Sequence, residues 1–269
     1  MILAFGKEKI MAFTNDLLLR TLQVLKNRGG YKGSFLMLGK QSLNLHEDFI
    51  KILFQSELIN DVDRFGDAEM RDSVLFFKAL GFEEVHAFDV SEYEGADIIF
   101  DLNNELPENL LEKFDVVFDG GVIEHVFDVV TAFFNICNLC KKGGIIFNVN
   151  PVYNYLYNTF WNISPEMFIE FYEANEFRII DCALFTWLSN KRDYSNWDER
   201  DVAWSRDLRL MNLIHPLKIG EYVRSLNLMS ENPHPHTFIV AKKTKNSLQY
   251  VKPIVSGYAK KHKKHFNIA

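Results

Sequence analysis

The sequence predicts an α/β protein in which helices cover both faces of a mostly parallel sheet. Short apolar runs that suit strands buried on both faces alternate with longer stretches of helical periodicity. The clearest unit is FDVVFDGGVIEHVF, residues 114–127, where an apolar β run is followed by a sharp turn at Asp119 to Gly121. A strand, a glycine turn and a helix in that order are typical of parallel sheets, whose ligands bind beyond the carboxyl ends of the strands. We therefore expect residues 119–125 to touch a ligand.

The first eighty residues predict one strand and three helices. Leucines at 17, 18, 22 and 25 recur at helical spacing and predict a lead-in helix over 12–28. The segment 34–45, SFLMLGKQSLNL, is an apolar run broken at Gly39 and predicts the first strand. Residues 45–58 and 67–80 each suit a helix, and the second closes at Gly81.

The middle of the chain predicts three or four more strands. Two apolar runs within 83–107 end in Asp89 and Asp101, but the stretch between them is shorter than a usual parallel crossover. Either this connection is compressed or the second run is a marginal strand. Residues 122–140 predict a helix, and 141–151 predict a Gly-Gly turn into another buried strand.

The last third predicts a capped helix and two strands. Ser164 and Pro165 suit the N-cap and first position of a helix within 160–177. Strands are predicted over 178–187 and 236–244, and the stretch between them shows no strand pattern, which indicates a lid or a small helical insertion. The chain thus divides into an N-terminal helix (1–33), a core domain (34–187 and 236–245), the insertion (188–235) and a basic C-terminal tail (246–269).

Composition limits the class of protein. With 269 residues, 48% hydrophobic, the chain can bury a sizeable core. Three cysteines suit no disulfide framework and no apolar signal region follows Met1, so we expect a reducing, cytoplasmic setting. No apolar stretch is long enough to predict a transmembrane segment. The Cys137-x-x-Cys140 pair lies in a predicted helix without a second pair, which favours helix packing over a metal site; no metal is predicted.

Charge is distributed unevenly along the chain. The net charge is −6, yet from Lys242 to the end there are eight lysines and no acidic residue. The remaining 241 residues hold 22 basic and 36 acidic side chains, so they would repel nucleic acid over most of their surface. The run KKHKKH at 260–265 could attract an anionic membrane or polymer, although a solvated, disordered end is the simpler interpretation.

Three segments resemble motifs of the class I S-adenosylmethionine-dependent methyltransferases. FDVVFDGGVIEHVFD (114–128) is similar to the family's strand end with its Glu-His pair, and KKGGIIFNVNP (141–151) to its lysine-proline-glycine-glycine turn, with Lys142 at the proline position. SPEMFIEFYEANEFRIIDC (164–182) is similar to its serine-proline-glutamate segment, with Glu176 at a glycine position. The resemblance implies a Rossmann-like sheet of seven strands with the last one antiparallel, and S-adenosylmethionine as cofactor.

The loop after the first strand departs from the family's pattern. Family members have an acidic residue and then Gly-x-Gly-x-Gly there. Aligned on Gly39, this chain has Met37 for the acid and Gln41 and Leu43 for the later glycines. Either the side chains of Lys40 and Gln41 contact the cofactor, or the site no longer binds it.

The resemblance implies a cofactor site formed by the loops after four strands. Asp89 would bond the ribose hydroxyls, and Asp101 would accept the exocyclic amine of adenine while Leu102 lies on the ring. A turn-capping aspartate and an Asx turn are the structural alternatives for the two acids. The complete predicted set is Gly39, Lys40, Gln41, Asp89, Val90, Asp101, Leu102, Asn103, Asp119, Gly120 and Gly121.

Methyl transfer to a hydroxyl needs a base with a pKa near neutrality. His125 is the first candidate and Glu124 could orient it, although His125 could instead bond the backbone and shape the loop. Tyr153, Tyr157 and Trp161 follow the fifth strand and suit a sugar or aromatic acceptor; a hydrophobic lid is the alternative.

We therefore expect a methyltransferase acting on oxygen, or less readily nitrogen, of a small molecule. By analogy with similar enzymes, a sugar or nucleotide sugar of bacterial polysaccharide synthesis is the expected acceptor, and the chain could form a homodimer. The alternatives are a non-catalytic methyltransferase-like binding protein that has lost the cofactor, and a nucleotide-binding oxidoreductase. The missing glycine fingerprint at Gly39 argues against the oxidoreductase.

Overall fold

A computed structural model describes residues 12–43, 45, 47–153, 155, 159–187, 202–204 and 235–255. Its strands and α-helices are, in chain order, β1 (Ala12–Phe13), α1 (Asn15–Asn27), β2 (Ser34–Leu38), β3 (Ser42–Leu43), α2 (Glu47–Gln55), α3 (Ser73–Leu80), β4 (Glu84–Asp89), β5 (Ile98–Ile99), β6 (Phe114–Asp119), α4 (Val129–Leu139), β7 (Cys140–Asn148), α5 (Pro165–Ala174), β8 (Arg178–Trp187), β9 (Val202–Trp204) and β10 (His236–Lys242).

The main sheet has the strand order β5-β4-β2-β6-β7-β10-β8-β9. The strands from β5 to β7 pair in parallel, whereas β10 is antiparallel to both of its neighbours. The chain moves outward from β2 to β4 and then returns to the other side of β2 with β6. This reversal leaves a crevice beyond the carboxyl ends of β2 and β6, where open α/β sheets bind ligands. The predicted Rossmann-like fold with an antiparallel last strand is confirmed.

Helices cover both faces of this sheet, as predicted. One hydrophobic core joins α1, α2 and α3 to one face, and a second joins α4 and α5 to the other. The central strands β2 and β6 supply side chains to both cores, because successive residues of a strand point to opposite faces. The central strands are therefore packed on both faces.

Three predicted elements differ from the structure. The helix predicted over 122–140 is a single 3-10 turn (Ile123–His125) and then α4, because Asp128 caps α4 by accepting from the Thr131 backbone N–H at 3.0 Å. The helix predicted over 67–80 begins only at Ser73, after its cap Asp72. The segment 188–235, predicted to lack strands, contains β9, so the sheet has eight strands and not seven; the rest of 188–234 lies outside the described residues.

The start of the predicted basic tail packs against the body of the protein. The Tyr250 hydroxyl donates to Asn138 Oδ1 at 2.7 Å, and the Val251 backbone N–H donates to Asn175 Oδ1 at 2.7 Å. These contacts fix residues 250 and 251 on the body, whereas 256–269, including the KKHKKH run for which a solvated end is predicted, lie outside the described residues. No helix in the described part of the chain is long and apolar enough to cross a membrane.

Lys243, one of the eight C-terminal lysines, is completely buried. Its ammonium donates to the carbonyl oxygens of Cys137 at 3.0 Å and Cys140 at 3.1 Å, and lies 3.2 Å from a Glu112 carboxylate oxygen. It therefore satisfies carbonyls at the end of α4 that would otherwise have no intrahelical partner.

We expect Lys243→Met to lower the free energy of unfolding by about 2–4 kcal/mol, because methionine fills a similar space but leaves these acceptors unsatisfied. Urea denaturation measures the loss. The matched control is Lys245→Met, which removes an exposed ion pair with Glu176 and should cost about 1 kcal/mol or less. Equal losses for the two variants would contradict this role of Lys243.

Candidate active site

A cavity of about 750 Å³ lies beyond the carboxyl ends of the central strands. Its walls are the loops after β2, β4, β5 and β6 together with the segment just before α3. This volume is within the range of small-molecule and cofactor sites. Ten of the residues predicted for the site line it: Gly39, Lys40, Gln41, Asp89, Val90, Asp101, Leu102, Asn103, Gly121 and His125.

The two predicted acids lie at the ends of neighbouring strands and both face the cavity. Asp89 ends β4, and its Oδ1 accepts from the Ser91 backbone N–H at 3.2 Å. Asp101 follows β5 and accepts from the backbone and side-chain nitrogens of Asn103, which lowers the pKa of its carboxyl. The Asx turn considered for Asp101 is thus present, and it fixes a carboxylate at the cavity wall.

Contacts to α4 hold the loop after β5 in place. The Asn135 amide donates to the carbonyl oxygens of Leu102 at 3.0 Å and Asn104 at 2.7 Å, and Asn103 Oδ1 accepts from the Asp128 backbone N–H at 3.0 Å. Leu102 is buried in the core, so its side chain offers little surface to a ring. Val90, whose side chain is 66% exposed, provides the apolar surface on this side of the cavity.

Gln41 stands where the methyltransferases that this sequence resembles have a glycine. Its side chain fills the space between the loop after β2 and the loop after β6. Its side chain is buried, and its amide nitrogen donates to the Leu38 carbonyl at 3.0 Å. A Cβ on Gly120 would lie 2.8 Å from Gln41 Cδ and 2.7 Å from Phe118 Cε1, so only glycine fits at position 120. Gly39, with φ of 63°, adopts the left-handed conformation that the turn after β2 requires.

Charged groups line the side of the cavity near α3. Lys40 Nζ lies 2.7 Å from Asp72 Oδ2, while Asp72 Oδ1 accepts from the Val74 and Leu75 backbone N–H groups and caps α3. The ammonium of Lys40 therefore has a protein partner already. Arg71, which the sequence analysis missed, is exposed beside this pair and lines the same cavity.

His125 and Glu124 point in different directions although they are adjacent. His125 ends the 3-10 turn and lines the cavity. Glu124 is 1% exposed and lies outside the cavity lining, and its backbone carbonyl accepts from the Phe160 N–H at 2.9 Å. The carboxylate of Glu124 is therefore directed into the protein, where it does not meet a ligand in the cavity.

The carboxylates of Asp119 and Glu124 meet in a buried polar cluster. The Asn150 amide nitrogen donates to Asp119 Oδ2 at 2.8 Å and to Glu124 Oε2 at 3.0 Å. Asn148 contacts Asp119 at 3.5 Å and accepts from the Tyr172 hydroxyl at 2.6 Å. Burial, and then the charge of Asp119, raise the pKa of Glu124 to about 8, and burial also raises the pKa of Asp119. The pair therefore holds a proton at neutral pH.

This cluster corrects the predicted position of Asp119, Gly120 and Glu124. All three are buried and none lines the cavity. Asp119 is turned inward because its oxygens accept from Asn150 and, at 2.9 Å, from the Val122 backbone N–H. Asn148 and Asn150 were missed, although their spacing of two residues places both side chains on one face of the extended chain.

The predicted acceptor residues lie beside the cavity and not in its wall. Trp161 is 40% exposed, and its ring N–H donates to the Val126 carbonyl at 3.0 Å, next to the cavity-lining His125. Phe160 is exposed and packs edge-on against Phe127, with ring centroids 5.7 Å apart. Tyr153 is 53% exposed and outside the lining, and Tyr157 lies outside the described residues.

The predicted CxxC pair packs in the core. Cys137 and Cys140 are both free and buried, and burial raises the pKa of the Cys140 thiol to about 12. Such thiols are unreactive at neutral pH. Within the described residues no group of three or more His, Cys, Asp or Glu side chains could hold a metal ion.

No family model and no curated protein matches this sequence. Among solved structures, the chain is similar to a methyltransferase candidate from Bacillus halodurans C-125, with 14% identity, 85% of this chain and 99% of that chain covered, and a TM-score of 0.47. It is similar to a SAM-dependent methyltransferase from Archaeoglobus fulgidus, with 13% identity, 85% and 94% coverage and a TM-score of 0.41. A third is 1,6-didemethyltoxoflavin-N1-methyltransferase of Burkholderia thailandensis, with 13% identity, 84% and 77% coverage and a TM-score of 0.41.

The fold assignment rests on strand order and not on these alignments. The order β5-β4-β2-β6-β7-β10-β8, with only β10 reversed, defines the Rossmann-like fold that the resemblance to class I methyltransferases implies. The cavity lies at the reversal point of this sheet.

Proposed function

We propose that this protein is an S-adenosylmethionine-dependent methyltransferase that acts on a small-molecule acceptor. The observation that carries the proposal is the cavity itself, in which acids from two neighbouring strand ends, an exposed valine and a histidine face one space at the reversal point of the sheet. A ligand with a ribose, an apolar ring and a charged tail matches this set of groups. The fold alone would not distinguish this function from others.

The residues present fit the cofactor, with two changes from what the resemblance implies. Asp89 would accept hydrogen bonds from the ribose hydroxyls, and Asp101 would accept one from the exocyclic amine of adenine. Val90 would contact the adenine ring. Lys40 is already paired with Asp72, so the exposed guanidinium of Arg71 would bind the carboxylate at the other end. When bound, the cofactor supplies an activated methyl group, so the protein's main contribution is to position the two reactants.

We further propose oxygen as the methylated atom and a sugar or nucleotide sugar as the acceptor. His125 lines the cavity beside the aromatic residues Phe127, Phe160 and Trp161, and would remove a proton from the acceptor hydroxyl. Exposed aromatic faces suit sugar rings. The test is methyl transfer from labelled S-adenosylmethionine to a panel of nucleotide sugars and matched amines. Transfer to amines alone would overturn the assignment to oxygen.

We expect Asp89→Ala to weaken binding of S-adenosylhomocysteine by about 10- to 100-fold, because it removes charged hydrogen bonds to the ribose. Isothermal titration calorimetry measures the change. Glu92→Ala is the matched control, since Glu92 is an exposed carboxylate in the same loop that does not line the cavity. If Asp89→Ala and wild type bound S-adenosylhomocysteine with equal affinity, Asp89 would not be a ribose-binding residue.

The same cavity could be read as that of a non-catalytic binding protein or an oxidoreductase. Gln41 in place of a glycine favours the non-catalytic binding protein, because its side chain occupies space beside the loop after β2 that a cofactor would approach. Thermal unfolding with S-adenosylhomocysteine and with NADH separates the three readings. Protection by S-adenosylhomocysteine alone supports the methyltransferase, protection by NADH alone supports the oxidoreductase, and protection by neither supports the non-catalytic protein.

A further inference from the structure

A second cavity, of about 260 Å³, lies at the opposite edge of the sheet from the candidate active site. Its walls come from the end of α1, the first residues of β7 and β8 and the last residue of β10. Among the described residues that line it, three side chains are cationic, Arg28, Arg178 and Lys242, and none is acidic. The concentration of positive charge is unusual because residues 1–241 carry a large excess of acids.

Two of the cations face each other directly. Arg178 and Lys242 are paired residues in the antiparallel ladder of β8 and β10, and both line the cavity. Like charges at opposite positions of a ladder repel and destabilise the sheet. Neither side chain makes a hydrogen bond or an ion pair with the residues that the structure describes. Arg178 is exposed and Lys242 is half-buried, so an anion between the two groups would reach both and relieve their repulsion.

A nearby arginine shows the contrasting arrangement. Arg20 on α1 forms two hydrogen bonds, of 2.7 and 2.9 Å, with Asp181 on β8. The same two elements thus provide a carboxylate partner for Arg20, three residues along the strand from Arg178. Arg178 has no such partner among the described residues, although its own strand supplies one to Arg20.

Arg28 completes the cluster from α1. Its Nη2 donates to the Lys32 carbonyl at 2.8 Å, while its Nε is buried without a partner among the described residues. The charges of Asp115 and Glu83 act on Arg28, but neither acid lines the cavity: Asp115 bonds to Lys141 at 2.8 Å, and Glu83 bonds to the Gly33 backbone. The guanidinium of Arg28 therefore lines the cavity with hydrogen-bonding capacity that the described residues leave unsatisfied.

We propose that this cavity binds a small multivalent anion of the phosphate or diphosphate class. Guanidinium groups match the oxygens of a phosphate group with paired hydrogen bonds, and the ammonium of Lys242 adds a point charge. The volume is below the range of drug-sized ligands, so a phosphate group and not a whole cofactor fits it. The site is separate from the proposed cofactor site and does not depend on that function.

Inorganic pyrophosphate is the probe, and the thermal midpoint of unfolding is the readout. At a concentration ten- to thirty-fold above its Kd, pyrophosphate should raise the wild-type midpoint by about 3 °C or more over sodium chloride of equal ionic strength. Arg178→Gln and Lys242→Gln should abolish this rise. Without anion their midpoints should equal or exceed that of wild type, because each change removes the repulsion, so loss of folding does not confuse the result.

Two control variants locate the effect. Lys142→Gln removes an exposed charge adjacent to the cavity-lining Gly143 and should keep the full rise. Arg71→Gln alters the candidate active site and should also keep it. A wild-type rise no greater than in sodium chloride, a rise that persists in both Arg178→Gln and Lys242→Gln, or a rise lost in Arg71→Gln would each overturn the proposal.

Discussion

Replacing His125 by alanine should lower the rate constant of methyl transfer by about 10²- to 10⁴-fold, the usual contribution of a general base. His125 is the one histidine that lines the candidate active site among the described residues, at the end of the 3-10 turn after β6. The affinity for S-adenosylhomocysteine should remain within a few fold of wild type, because the proposed ribose and adenine contacts come from Asp89 and Asp101. Single-turnover kinetics and calorimetry measure the two quantities separately.

The matched control is Val126→Ala, a neighbouring cavity residue that cannot accept a proton. It should change the rate by much less than His125→Ala. If His125→Ala instead abolished binding of S-adenosylhomocysteine and transferred methyl groups normally once excess cofactor restored binding, His125 would shape the loop and would not be the base.

The second large effect concerns the buried pair Asp119 and Glu124. The pKa of Glu124 is about 8 in the folded protein, well above its ordinary value, because the side chain is desolvated and lies near Asp119. The folded state therefore retains a proton that the unfolded state releases above pH about 4.5. The free energy of unfolding should fall as the pH rises from about 4.5 to 8 and should then level off, a loss on the order of several kcal/mol.

Glu124→Gln should remove most of this pH dependence. Glutamine has the shape of the protonated acid and can still accept from Asn150, but it never carries a charge beside Asp119. We expect the variant to be more stable than wild type at pH 8 and similar to it at pH 5, as measured by denaturant unfolding. Glu92→Gln, which removes an exposed carboxylate, should follow the wild-type curve. A Glu124→Gln curve parallel to that of wild type would show that the pair holds no proton.

Most of the sheet could be predicted because its strands are buried on both faces. Continuous apolar runs such as FLML in β2 and the Ser164-Pro165 cap of α5 depend on local sequence, and the structure contains both elements. The resemblance also placed a glycine at position 176, and Glu176 indeed has φ of 57°, the conformation glycine adopts most easily.

The errors arise where distant residues determine the structure. The prediction continued a helix through Glu124 and His125, but the Asn150 contact draws Glu124 inward and Asp128 starts a new helix. Lys243 was placed in the last strand, but its contact with the end of α4 could not be predicted, since nothing local shows that these carbonyls need its ammonium. Tertiary contacts of this kind override propensity and leave only weak signals in the sequence.

The candidate active site was predicted in part. Residues that follow strand ends, Asp89 and Asp101, could be located because parallel strands end at one edge of a sheet. Arg71 and Asp72 were missed because they do not follow a strand end. They line the cavity only because Asp72 pairs with Ser42 of β3 in an antiparallel β-bridge, a contact between residues distant in sequence. Asp119 was misplaced because an aspartate at a strand end can turn toward the cavity or into the core. Its side chain turns into the core because it accepts a hydrogen bond from the Asn150 amide, which is distant in sequence.

Calorimetric titration of the wild-type chain with S-adenosylhomocysteine tests the central claim most directly. The proposed site predicts saturable binding of one molecule per chain below millimolar concentration, weakened by Asp89→Ala and unchanged by Glu92→Ala. No heat of binding and no thermal stabilisation at millimolar S-adenosylhomocysteine would contradict the assignment of this cavity to a methyltransferase.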